Sequence, residues 1–211
     1  APPSSPPLQK SITQFGSDIG AGASGTMSLA KVVTNSDGTI VAIVDEMNSD
    51  GGMYAGNVRV YERTGASWNQ MGSTIYGRGD WSRLGTSVAL SSEGTILAVG
   101  EPGFGHFTNI EGSAFVYQWS GGSWILKGSE ILGEGIRDEF GEAIAMNSDG
   151  TVLAVGTTKN DGAGEDAGHV RVYESSSGDW VQMGSDIDGS LTNGGFGRSI
   201  ALSHDGTILA V

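Results

Sequence analysis

Polar and apolar positions along this chain fall into a phrase that returns four times. A polar pair and an acidic residue lead into Gly-Thr and a short apolar run, as in Asn147-Ser148-Asp149-Gly150-Thr151-Val152-Leu153-Ala154-Val155-Gly156. The other copies begin at Asn35, Ser91 and Ser203. Asp-Gly or Glu-Gly between two apolar segments predicts a tight hairpin turn, because Gly supplies the positive φ that such a turn requires. The acidic residues stand at 37, 93, 149 and 205, a constant step of 56. Trp68, Trp124 and Trp180 keep the same step, as do Gly16, Gly72, Gly128 and Gly184 and the pairs Val60-Tyr61, Val116-Tyr117 and Val172-Tyr173.

One unit holds four expected strands. In the second copy they are 87–91 (SVALS), 96–100 (ILAVG), 113–119 (SAFVYQW, apolar at every second position) and 123–131 (SWILKGSEI). No segment keeps apolar residues at helical spacing, so essentially no α-helix is expected. Four antiparallel strands repeated in register predict an all-β chain, a β-propeller of four-stranded blades. A parallel β-helix is the rival, but its coils are shorter and lack three hairpins per repeat. The expected blades are residues 29–84, 85–140 and 141–196, with a partial one at 197–211 and an extra strand at 12–19. Residues 1–9, rich in Pro and Ser, read as a linker or processed N-terminus. The strand count suggests an arc of a larger ring, completed by further blades of the same or another chain.

Composition adds constraints rather than chemistry. The 11 basic and 24 acidic residues give a net charge of −13, which disfavours nucleic acid and anionic lipid as partners. Cations, basic protein surfaces and polyhydroxyl ligands suit that field better. No Cys is present, so disulfides and thiolate metal sites are excluded. No apolar run approaches the roughly 20 residues of a membrane helix, so direct membrane insertion is not expected.

The order Phe140-Gly141, Asn147-Ser148-Asp149-Gly150, Val155-Gly156 resembles the FG-GAP repeat, the blade of integrin α-subunit propellers; Val99-Gly100-Glu101-Pro102 and Phe196-Gly197 are further partial copies. The resemblance implies a propeller, a role in adhesion or recognition, and an extracellular or cell-surface setting. Integrin blades often carry a DxDxDG calcium loop, and here this chain departs from them. Two positions before the acidic residue stand Asn35, Ser91, Asn147 and Ser203, and four before stand Val33, Ala89, Ala145 and Ala201. A calcium ion needs six or more oxygens, so these turns are not expected to bind it. Their carboxylates are expected to bond backbone N–H groups instead.

Positions constant among the copies are expected to build the blade: the Asp-Gly turns, the Val-Tyr strands, and the Trp series as core. Positions that differ lie in two loop sets, 45–57, 101–112 and 157–168, and 20–28, 76–84, 132–140 and 188–196, expected on one face. Arg78, Asp80, Trp81, Glu101, His106, Phe107, Arg137 and Asp138 are the candidate binding residues there. Arg78-Gly79-Asp80 spells a tripeptide that certain integrins recognise, with electrostatic pairing of an exposed loop as the plainer reading. Asp161, Glu165 and Asp166 could gather oxygens around Ca²⁺, although a solvated acidic loop is the simpler expectation. Catalysis has thin support: His106, His169 and His204 do not match between copies, and Ser203-His204-Asp205 are neighbours in a hairpin that cannot form a relay. The expected function is a non-catalytic module that binds protein or glycan. The alternatives are a structural scaffold and a carbohydrate-active enzyme with two facing carboxylates.

Overall fold

The computed structural model describes residues 30–103 and 110–211, with Gln14 and Ile19. The expected linker and nearly all of the expected strand 12–19 lie outside the described residues. Among those described there is no helix, and no helix is long and apolar enough to cross a membrane. The strands form three antiparallel sheets of one pattern, followed by a hairpin. The first blade comprises β1 (Ala30–Thr34), β2 (Ile40–Asp45), β3 (Asn57–Thr64), β4 (Ser67–Gln70) and β5 (Ile75–Tyr76). The second comprises β6 (Ser87–Leu90), β7 (Ile96–Glu101), β8 (Ser113–Ser120), β9 (Ser123–Leu126) and β10 (Ile131–Leu132). The third comprises β11 (Ala143–Met146), β12 (Val152–Thr157), β13 (His169–Ser176), β14 (Asp179–Gln182) and β15 (Ile187–Asp188), and the hairpin β16 (Ala201–Leu202) and β17 (Leu209–Ala210). The first strands β1, β6, β11 and β16 pack side by side, so the chain is a β-propeller.

The single fourth strand expected at 123–131 is corrected: it is two pieces, and both pair with the third strand. The cause is a glycine. Gly72, Gly128 and Gly184 take φ of +70°, +78° and +72°, which a regular strand cannot accommodate. The register therefore slips by two residues: Tyr61 faces Gln70 but Val58 faces Ile75.

Each Asp-Gly turn closes on its own side chains, as expected. Asp37 Oδ1 accepts the Thr39 N–H at 2.9 Å, and Asp149 Oδ1 the Thr151 N–H at 3.1 Å. The Asn35 amide oxygen accepts the N–H groups of Thr39 and Ile40, and Asn147 repeats this on Thr151 and Val152. Where serine replaces asparagine, its hydroxyl accepts the N–H of Ile96 or Ile208.

The turns then lock to one another. Ser36 N–H donates to Ser92 O, Ser92 N–H to Ser148 O, and Ser148 N–H to His204 O, at 3.1, 2.7 and 3.0 Å. The turn glycine lies flat on the preceding blade: a Cβ on Gly94 would stand 2.5 Å from Ile40 Cδ1, and one on Gly150 2.8 Å from Ile96 Cβ. The apolar core lies in the seams. One cluster joins Val44, Val58 and Val60 of the first blade to Leu97, Val99 and Phe115 of the second, and another joins Val116 and Phe140 to Leu153 and Val155. Each such side chain contributes about 1.5–3 kcal/mol.

The tryptophans are half-buried rather than core, and they act as latches. Trp124 Nε1–H donates to Met71 O at 3.0 Å and Trp180 Nε1–H to Lys127 O at 2.9 Å, each reaching back one blade. Trp68 holds the matching strand position, opposite Arg63.

Two outcomes follow from this packing. Gly94→Ala, which drives a Cβ into Ile40 at positive φ, is expected to cost about 2 kcal/mol in denaturant unfolding. Gly79→Ala, with open space around it, should stay within about 0.5 kcal/mol. The second concerns acid. Thr39 holds Asp37 below the usual carboxylate value, Thr151 does so for Asp149, and the Ser203 hydroxyl leads in lowering Asp205 to about 2. Folded values below unfolded ones mean that the turns stabilise the chain fully above the unfolded value of 3.8 and lose this as pH falls through about 2. The thermal midpoint should therefore drop across that window, and less steeply in Asp205→Asn.

Candidate functional site

The two variable loop sets do share one face, because within each blade they are hydrogen-bonded together. Gly77, Gly133 and Gly189 N–H donate to Gly56, Gly112 and Gly168 O, and Leu84, Phe140 and Phe196 N–H to Ala55, Glu111 and Ala167 O. The loop tips then diverge in chemistry while keeping their backbone. Trp81, Arg137 and Asn193 occupy matching positions, all left-handed at φ 64°, 74° and 56°. Trp81 lies against Tyr54 with ring centroids 4.6 Å apart, whereas Arg137 and Asn193 are exposed.

The structure places most of the expected binding residues in this framework. Asp80 Oδ1 accepts the Met53 N–H at 2.8 Å, tying the two loops of the first blade. Arg78 turns towards the second blade: its Nε and Nη1 pair with Glu101 and Glu130, its Nη2 donates to Ser113 Oγ at 2.9 Å, and its guanidinium lies 4.9 Å from the Phe115 ring centre. Both ends of the Arg-Gly-Asp tripeptide are thus engaged internally. Glu101 is fully buried, and its second oxygen accepts the Arg78 N–H at 2.8 Å. Asp138, also buried, accepts from Gly135 N–H and from the Asn160 amide at 2.9 Å. His106 and Phe107 lie outside the described residues.

The carboxylates proposed for calcium serve their own loop. Asp161 Oδ1 accepts the Asp166 N–H at 2.8 Å, Asp166 pairs with Lys159 at 3.1 Å, and Glu165 is exposed. At the Asp-Gly turns the single carboxylate is taken up by Thr, so the residues present there do not fit a calcium ion. Ser203 and Asp205 bond each other within their turn, and His204 takes part there through its backbone.

Sequence reasoning missed a second cluster. Among the described residues, the group of three potential ligands whose atoms converge, all within 4.8 Å of one another, is Glu134, His169 and Asp186. These positions match Arg78, Ser113 and Glu130 one repeat earlier. The polarity is exchanged: the second blade receives a cation from the incoming loop, and the third receives an anion, with Arg171 replacing Phe115 on the third strand. Arg171 Nη2 meets Glu134 Oε1 at 3.1 Å and its Nε meets Asp186 Oδ1 at 3.5 Å, while its guanidinium lies 5.0 Å from the Phe140 ring centre. His169 is fully buried, and neither ring nitrogen has a hydrogen-bond partner. Burial pushes the imidazole below its ordinary value, outweighing the nearby Asp186, Asp138 and Asp188. Aligning the repeats column by column, and asking where charge reverses, would have found this site.

Beside Arg78 runs a groove of about 330 Å³, lined by Asp80, Ser82, Ile110, Glu111 and Leu132. Removing the guanidinium leaves the buried Glu101 carboxylate without its cation. Because Arg78 is half exposed, Arg78→Ala is expected to cost about 2 kcal/mol rather than the 3–5 of a fully buried pair. Adding Glu101→Gln should recover part of that loss in a double-mutant cycle by denaturant unfolding.

No family model and no curated protein matches this sequence. Among solved structures, the chain is similar to TolB from Acinetobacter baumannii, a β-propeller, with 11% identity and a TM-score of 0.48. The match covers 86% of this chain and 37% of that one, so the chain spans little more than a third of the length of the TolB chain.

Proposed function

We propose that this chain is an FG-GAP-like propeller module that binds a protein or a glycan through the loops of one face, without catalysing a reaction, in an extracellular or cell-surface setting. The observation that carries this reading is the contrast between frame and display on that face. Paired loops repeat the same backbone bonds in every described blade, yet their left-handed tips carry Trp81, Arg137 and Asn193. A rigid platform with unlike tips lowers the ordering cost of binding and sets specificity by side chain. Tyr54 and Trp81, with Met53 exposed beside them, form an aromatic spot suited to a sugar ring or an apolar side chain. The groove beside Arg78 is large enough for one such group. The net charge of −13 keeps nucleic acid out of the partner class.

The test is binding of the fluorescently labelled chain to a printed glycan array and to immobilised matrix glycoproteins, before and after deglycosylation. The Trp81→Ala/Arg137→Ala/Asn193→Ala variant is expected to lose at least about tenfold in affinity. Ile125→Ser, on an exposed strand away from these loops, should keep it. Equal binding by the triple variant would overturn the reading, as would release of reducing sugar from a bound glycan.

A further inference from the structure

We propose that Glu134, His169 and Asp186 form a binding site for one divalent transition-metal ion of the zinc class, at the seam between the second and third blades. His169 Nδ1 stands 4.0 Å from Glu134 Oε2 and 3.9 Å from Asp186 Oδ2. Those separations are too long for hydrogen bonds. They are close to what a shared ion requires: arms of about 2.0–2.1 Å in a tetrahedral shell put ligand atoms about 3.3 Å apart. The two histidine pairs have to close by roughly 0.6 Å and the two carboxylates, within 4.8 Å of each other, by up to roughly 1.5 Å, through rotation of the exposed Glu134 and the partly exposed Asp186 side chains.

The surrounding groups fit an ion better than they fit an ion-pair network. The His169 side chain is only 1% exposed and has no hydrogen-bond partner at either nitrogen, an expensive state for a buried imidazole. A neutral imidazole offers a lone pair to an ion. Arg171 holds the far oxygens, Glu134 Oε1 and Asp186 Oδ1, and so aims the near ones at His169. That is the arrangement by which an outer residue orients metal ligands. Asp138 and Asp188 add their charge near the ring. Four carboxylates against one guanidinium leave an excess of negative charge, which a divalent cation reduces. Imidazole with two carboxylates selects a zinc-class ion over calcium, which prefers oxygen alone. The fourth position is left for water or a partner's donor group. The site is peculiar to this seam, because the matching residues one repeat earlier are Arg78, Ser113 and Glu130.

The test uses the full chain, chelator-treated and dialysed, titrated with ZnCl₂ by calorimetry near neutral pH and with CoCl₂ as a visible-absorption probe. One ion per chain is expected. Glu134→Gln and Asp186→Asn should each weaken binding at least about tenfold, and His169→Gln should abolish the Co²⁺ bands. His106→Ala, His204→Ala and Asp161→Asn should change nothing. CaCl₂ should not displace the bound ion. Glu134 is an exposed loop residue, so its variant keeps the test valid should His169→Gln fail to fold. Unchanged binding in Glu134→Gln, loss of binding in His106→Ala or His204→Ala, or no binding by the intact chain would overturn the proposal. None of these results bears on ligand capture by Trp81, Arg137 and Asn193.

Discussion

The contact on which the rest of this structure depends is the seating of each Asp-Gly turn on the blade before it. There the backbone of one turn donates to the next, from Ser36 through Ser92 and Ser148 to His204. The turn glycine also leaves no room for a side chain above Ile40, Ile96 or Val152. Both features need adjacent blades to be in register to within a fraction of an ångström. An extra residue between turn and first strand would lift the glycine from its seat and leave the ladder N–H groups without acceptors. The constant length of the turn between its two flanking strands is thus a packing requirement. It also explains why the apolar clusters bridge blades: a lone four-stranded sheet has two faces to bury, and only its neighbours can cover them.

A second joint lies at the opposite side of each blade, where the loop leaving one sheet docks on the third strand of the next. The first of these joints is closed by Arg78 on Glu101 and Glu130; the next is closed by Glu134 on Arg171. Exchanging the sign between successive joints makes each loop a poor fit for the other's strand, since Glu134 would face two carboxylates at the Arg78 seat. The Asp-Gly ladder seats one side of each seam, and the charged joint closes the other.

Much of this was legible in the sequence because it depends on local or periodic signals. The Asp-Gly turns, the hairpins around them and the alternation in β8 each lie within a dozen residues, and the repeat supplied their stacking. What was not legible has identifiable physical causes. The break in the fourth strand turns on the sign of φ at Gly128, which composition does not reveal when glycine is common throughout. Trp124 and Trp180 look like core in one dimension; only the approach of the preceding blade's backbone shows their ring nitrogens as donors. The internal partners of the exposed Arg78 and Asp80, Glu101 and Met53, were hidden because they lie more than twenty residues away in sequence. Separation in sequence likewise hides the meeting of Glu134, His169 and Asp186. The FG-GAP resemblance pointed instead to the turns, which lack the carboxylates a calcium ion needs.

The face loops contain an argument about their own use. Left-handed backbone costs a residue with a Cβ roughly 1–2 kcal/mol, and glycine avoids that cost. At the Asp-Gly and Glu-Gly turns, which need only the conformation, glycine supplies it at Gly38, Gly94, Gly150 and Gly206. At the loop tips the same backbone is held by bonds between the two loops, yet the residues are Trp81, Arg137 and Asn193. Glycine would satisfy those bonds equally well, since each is made by the main chain. The strain at these tips therefore supports the side chains themselves. Of the three, only Trp81 has a described ring neighbour to justify it within the fold, and that neighbour, Tyr54, is itself left-handed. On the binding role proposed above, what those side chains meet outside the blade offsets that strain.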